Sequence, residues 1–247
     1  MIEPTVDVVG IGNALVDVIS QEPFEFVESE GLVAGSMNLI DTDRRHQLYG
    51  AMSAGEEHSG GSCANTTVGV GSLGGTAHYL GRVADDQLGE VFAHDIRAAG
   101  VGFDNEPAPE GPPTGCSLVI VTPDGQRTMN TYLGAAELFG PDDVAPDSVR
   151  TGRVLYLEGY LFDRPEAKEA FRFASGVAHE AGRSVAHPQR PVLRRPPPLG
   201  VPRVGVGTRR PGLRERERAP GAVRDRRPRP RPSGTGDRVS VGRRHPK

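Results

Sequence analysis

The chain has 247 residues, 36% of them hydrophobic, with no tryptophan, two cysteines and a formal net charge of −3. Cys63 and Cys116 stand far apart without CxxC spacing, which excludes a disulfide framework or zinc ribbon and suits a reducing compartment. No run approaches the roughly 20 apolar residues that span a bilayer, and the N-terminal stretch lacks the basic segment and apolar run of a secretory signal, so a soluble, cytoplasmic protein is expected.

The near-neutral charge is the sum of two unlike parts. Residues 1–186 hold 11 Lys/Arg against 28 Asp/Glu, whereas residues 187–247 hold 18 against 4, together with 12 of the 22 prolines. The first part is long enough to bury roughly 70% of its unfolded surface. The second has few large apolar residues to offset the entropy of ordering its backbone, and reads as a disordered arm.

In chain order, Val6-Asp7-Val8-Val9-Gly10-Ile11-Gly12 is a buried strand entering a glycine turn. Residues 24–40 mix short apolar runs with Gly31 and Gly35, and Ser36–Ile40 reads as a strand. Ser59-Gly60-Gly61-Ser62 is a turn before a helix opening near Cys63. Asp85-Asp86 offers an N-cap to a helix that buries Leu88, Val91, Phe92, Ile96 and Ala99 and stops at Gly100. Leu118–Val121 and Thr128–Tyr132 flank Pro123-Asp124-Gly125 as a hairpin. Val154–Leu157 is a buried strand, and a helix from Pro165 buries Ala167, Ala170, Phe171, Ala174, Val177, Ala178 and Ala181 before Gly182. Ser184-Val185-Ala186 starts a parallel strand that His187-Pro188 interrupts. Alternating strands and helices imply an α/β fold with a parallel sheet, and the material around 24–40 and 116–132 adds a small antiparallel layer.

Few motifs carry chemistry on their own. Gly10-Ile11-Gly12 follows a strand, but Leu15 stands where a dinucleotide fingerprint needs its third glycine. Gly60-Gly61, with Asn65 one turn into the helix, gives bare backbone beside a donor–acceptor amide, a pairing that suits vicinal hydroxyls. The seven histidines show no metal-ligand spacing and read as surface residues. Glu56-Glu57 and Asp142-Asp143 read as solvated loop charges, and Cys63 as a small packing residue.

Taken together, Gly12-Asn13-Ala14-Leu15-Val16-Asp17, Gly60-Gly61-Ser62-Cys63-Ala64-Asn65 and Gly81-Arg82-Val83-Ala84-Asp85-Asp86-Gln87-Leu88-Gly89 resemble the PfkB (ribokinase-like) carbohydrate kinase family. The first string and Arg127–Ala136 look most like its adenosine kinase branch. The resemblance implies a ribokinase-like parallel sheet with flanking helices and an antiparallel β lid, truncated at its C-terminal half. It implies ATP- and Mg²⁺-dependent phosphorylation of a sugar or nucleoside primary hydroxyl. By position, Asp17 would accept hydrogen bonds from ribose hydroxyls, Asn13 would support Asp17, and Gly60, Gly61 and Asn65 would contact the same sugar. Asn38 and Leu39 resemble lid positions near the base or ring, and Arg127 resembles a phosphate contact. Lid strands in this family also pair between subunits, which implies a homodimer.

The family's catalytic base lies in a C-terminal D-T-x-G-A-G-D segment. Here only Pro232-Ser233-Gly234-Thr235-Gly236-Asp237 resembles it, and no apolar helix follows, so no catalytic residue is assigned. Residues 1–186 are therefore read as the substrate site and lid of such a kinase, inactive without its second half. Residues 187–247 read as an out-of-frame tail, since GC-rich codons in a wrong frame give Arg, Pro, Gly and Val. The rival reading is a non-catalytic dimeric scaffold with a basic RNA-contacting tail, against which stands the tail's lack of aromatic residues for stacking bases.

Overall fold

The structure is a computed structural model that describes residues 3–187. Along the chain run β1 (Val6–Ile11), β2 (Leu15–Gln21), α1 (Phe24–Ser29), β3 (Met37–Leu39), α2 (Thr42–Ala51), β4 (Glu56–Gly60), α3 (Ser62–Ser72) and β5 (Ala77–Leu80). There follow α4 (Gln87–Ala98), β6 (Val101–Gly102), β7 (Gly115–Val121), β8 (Arg127–Tyr132), α5 (Pro146–Thr151), β9 (Gly152–Leu157), α6 (Pro165–Glu180) and β10 (Ser184–Ala186).

Alternation along β1 organises the central sheet. Val9 and Ile11 point to one face, into a core with Leu155, Leu157 and the α6 side chains Ala167, Ala170, Phe171, Ala174 and Val177. Gly10 points to the other face, where an added Cβ would lie 2.7 Å from Cys63 Sγ and 2.8 Å from the Thr67 methyl. The glycine thus lets α3 pack close against the sheet. All pairings are parallel in the order β10-β9-β1-β5-β6, with helices over both faces, as a parallel sheet requires.

The helices follow their local signals. Asp86 caps α4 by accepting the Gly89 N–H at 2.9 Å, and Gly100 leaves it at φ +82°. Leu88, Phe92 and Ile96 are buried, while Val91 is half-buried and Ala99 exposed, so the buried face is narrower than the sequence implied. Phe92 and Phe103 meet edge to face at 5.3 Å, beside Tyr79. In α6 the alanine stripe is buried as expected except Ala181, which lies half-buried past the last turn.

The lid is a five-stranded sheet of order β3-β8-β7-β2-β4. The hairpin β7–β8 and the pair β2–β4 are antiparallel, whereas β2–β7 and β3–β8 are parallel. Residues 24–29, grouped with lid-strand material from the sequence, form α1, and β2 and β4 supply strands in its place. One lid face packs on α1 and α2, with Val16, Val18, Leu118 and Ile120 meeting Val27 and Leu48. The opposite face is left for the site. β10 pairs with β9 through Ser184↔Val154 to Ala186↔Tyr156, so the expected last parallel strand is present. The Arg/Pro-rich segment from residue 188 and the Pro232–Asp237 string lie outside the described residues.

Candidate functional site

The chain leaves β1 to build β5 and β6 on one side, then crosses to β9 and β10 on the other. Beyond the carboxyl ends of β1 and β9, at this reversal, open α/β sheets place their ligand crevice. Asn13 and Glu158 stand there. Glu158, 2% exposed, accepts from the Asn13 backbone N–H at 2.6 Å and from Asn13 Nδ2 at 2.9 Å through one oxygen. Its other oxygen accepts from Ser62 Oγ and from the Cys63 N–H at 3.1 Å. One carboxylate therefore clamps the β1–β2 turn to the start of α3. Asn13 supports Glu158 rather than Asp17, and its Oδ1 is buried with no hydrogen-bond partner among the described residues.

The glycine pair is shaped by the same turn. Gly61 sits at φ +98°, and a Cβ there would run into the Asn13 carbonyl oxygen. A Cβ on Gly60 would lie 2.6 Å from Asp17 Cγ. The side chain of Asp17 thus lies over bare Gly60 backbone. Burial pushes the Asp17 carboxyl above its ordinary value, against the lowering influence of His58 and then Arg127. Asn65 is exposed on the first turn of α3, its N–H bonded to Gly61 O at 2.9 Å.

Register assigns the lid faces. Asp17 pairs with Ser117, Ser117 with Thr131 and Thr131 with Leu39, so these four share the open face. Thr131 Oγ1 donates to Ser117 Oγ at 3.2 Å within that row. The next row along holds Ile19, Val119, Met129 and Met37, an apolar shelf. Arg127 is exposed on the same face one row further, about 13 Å along the strands from the Asp17 row. Asn38 pairs with Asn130 and so faces the other way, in the row of Leu118 and Val18, with its Nδ2 donating to Ser36 Oγ at 2.8 Å. Of the two lid residues singled out in the sequence, Leu39 and not Asn38 faces the site. Leu39 also borders a groove of about 540 Å³ with Ile40, Thr131, Tyr132 and Leu133.

Other readings are corrected or upheld by packing. Cys63 is fully buried and burial pushes its thiol well up, so it is a packing residue. Glu56 and Glu57 lie in β4, not in a loop, and Asp143 is half-buried, pairing with Arg82 at 2.9 Å. His78 is half-buried rather than a surface histidine. At the start of α3 the Cys63 N–H and the Ser62 hydroxyl already meet the Glu158 carboxylate, whose negative charge would oppose an ATP phosphate there. Among the described residues no group of three His, Cys, Asp or Glu is placed to hold a metal ion. Sequence reasoning passed over Glu158, Ser117 and Thr131. An acid directly after the buried run Val154–Leu157 was the available signal for the first.

A parallel sheet with a β lid, and polar groups gathered where the strand order reverses, define a ribokinase-like α/β fold. The profile of the pfkB family carbohydrate kinases matches residues 27–196, and the chain belongs to that family of phosphotransferases. It is 53% identical to the adenosine kinase from Sinorhizobium meliloti, with a TM-score of 0.68 over 74% of this chain and 56% of that one. The Trypanosoma brucei brucei adenosine kinase, at 22% identity and a TM-score of 0.66, shares the fold over 74% of this chain and 57% of its own. A fructokinase from Solanum tuberosum is 30% identical over 125 residues, which are 50% of this chain and 39% of that protein. The chain thus spans about half the length of these relatives.

Proposed function

We propose that this chain carries the acceptor-binding part of an ATP-dependent kinase acting on the primary hydroxyl of a nucleoside, adenosine or a ribose-like relative. The observation that carries the reading is the pair of adjacent rows on the open lid face. Asp17 lies in a polar row with Ser117 and Thr131, and the apolar shelf of Ile19, Val119, Met129 and Met37 begins about 7 Å further on. A carboxylate that accepts two vicinal hydroxyls, next to an apolar surface, suits a ribose bearing a flat base. A free hexose would leave the shelf against water. Asn13 Oδ1, buried and unpaired among the described residues, and the exposed Asn65 supply further polar groups for the sugar. Gly60 and Gly61 let it approach the backbone.

ATP is the phosphoryl donor in this reading, on the strength of the family. The described residues bind and orient the acceptor, and the base that takes the hydroxyl proton is not assigned among them. The same reading has residues 1–186 as the kinase-derived part, the 247-residue chain without turnover, and a cytoplasmic protein that dimerises through the lid.

Calorimetric titration of the 247-residue chain with adenosine, ribose and fructose tests it. Adenosine should bind more tightly than either sugar, and Asp17→Asn should weaken adenosine binding about 100-fold. Fructose binding more tightly than adenosine would overturn the nucleoside assignment. ADP formation from ATP and adenosine would overturn the lack of turnover.

A further inference from the structure

His58 stands directly across the β2–β4 ladder from Asp17, on the same open face. Residues so paired have Cβ atoms about 5 Å apart. Its Nε2 also lies 3.3 Å from Glu56 Oε2, so the ring sits between two carboxylates, one on its own strand and one on β2. The charged groups nearby complete the setting. From α4, Asp95 accepts the N–H of neighbouring Ser59 at 3.1 Å and pairs with His94 at 3.3 Å. From β8, Arg127 acts on Asp17 across the face. Glu57 points to the opposite side of β4, where it accepts from Tyr49 Oη at 3.2 Å.

We infer that His58 is a positioning residue for the Asp17 carboxylate, holding it ionised and facing the acceptor's vicinal hydroxyls. The inference rests on the reading of Asp17 as the diol-binding group. Physically, Asp17 must be ionised to accept two hydroxyl hydrogens at once, yet its partly buried position over Gly60 opposes the charge. A positive charge on the adjacent strand, directly across the ladder from Asp17, opposes that penalty. Glu56, two residues away on the same strand, gives Nε2 of the ring a carboxylate partner. His58 is 57% exposed, so solvent screens the interaction and its effect is a modulation, not an absolute requirement.

The test compares the full chain with His58→Gln and His58→Lys. The Asp17 carboxyl is titrated by carbon-detected NMR, and adenosine affinity is measured across the same pH range. His58→Gln should move the Asp17 titration upward by roughly half a pH unit, with adenosine binding about threefold weaker on the acid side and unchanged on the alkaline side. His58→Lys, which restores a positive charge, should return the titration toward that of the unsubstituted protein. A purely structural role for His58 would weaken binding equally at every pH and leave the Asp17 titration in place. Coincident titrations, or a loss independent of pH, would overturn the inference. If the titration shifts but the unsubstituted chain binds no adenosine, the coupling of His58 to Asp17 stands and the reading of Asp17 as a ligand group falls.

Discussion

The Glu158 carboxylate receives both the backbone N–H and the side-chain amide of Asn13, at 2.6 and 2.9 Å, across 145 residues of sequence. With Ser62 and Cys63 on its other oxygen, it joins three segments that local sequence does not bring together. Glu158→Ala would leave these buried donors without an acceptor, at a cost of about 3 kcal/mol or more. Urea unfolding would read this as a lower midpoint. A midpoint unchanged from the parent chain would show that water replaces the carboxylate.

The two glycines of the turn should fail in different ways. Gly61→Ala places a Cβ against the Asn13 carbonyl at a backbone conformation near φ +98°, ψ 141°, which L-residues rarely adopt. Neither the backbone nor the carbonyl can move away, and destabilisation of about 2–4 kcal/mol is expected. Gly60→Ala meets only the end of the Asp17 side chain, 2.6 Å from Cγ, which can rotate. Its fold should persist while adenosine affinity falls about tenfold as the carboxylate leaves its place. Thermal melts set beside titration calorimetry separate the two effects.

Asp17→Asn should divide stability from binding. Burial raises the Asp17 carboxyl above its ordinary value of 3.8, so the folded state holds that proton more tightly than the unfolded chain does. The favourable contribution is then fully present below the unfolded value and is lost as pH rises through the folded one. At neutral pH the ionised Asp17 therefore weakens the fold, and the amide should raise the unfolding midpoint. That advantage should vanish as the solution is acidified below the ordinary carboxylate range. Adenosine binding should meanwhile drop by about 100-fold, the loss of charge-assisted hydrogen bonds. A variant that melts earlier at neutral pH would contradict this sign.

In the proposed site Met129, 37% exposed on the shelf, would make the discriminating contact with the base. Met129→Ala should weaken adenosine binding about fivefold, by lost apolar contact with the base, and leave ribose binding unchanged. Equal losses for both ligands would place the base elsewhere.

Much of the fold was legible in the sequence because its signals are local. The Asp86 cap, the Gly100 and Gly182 stops, the alanine stripe of α6 and the Asp124-Gly125 hairpin each act within one turn of chain, and each is where its residues imply. The chemical break after Ala186, and the strings around Asn13, Gly60 and Asp85, could likewise be read without a structure, since composition and short motifs do not depend on distant contacts.

Tertiary structure decided what depends on register and on remote partners. β4, with the polar sequence Glu56-Glu57-His58-Ser59, has little strand character of its own, and becomes a strand because β2 presents an open ladder beside it. Asn38 and Leu39 are adjacent in sequence, yet pairing with β8 sends one toward the helices and the other toward the site. A one-residue difference in a pleated strand reverses the face, and only the partner strand sets which residue is which. Glu158 acquired its place from donors on the β1–β2 turn and on α3, so its role exists only once those segments have met.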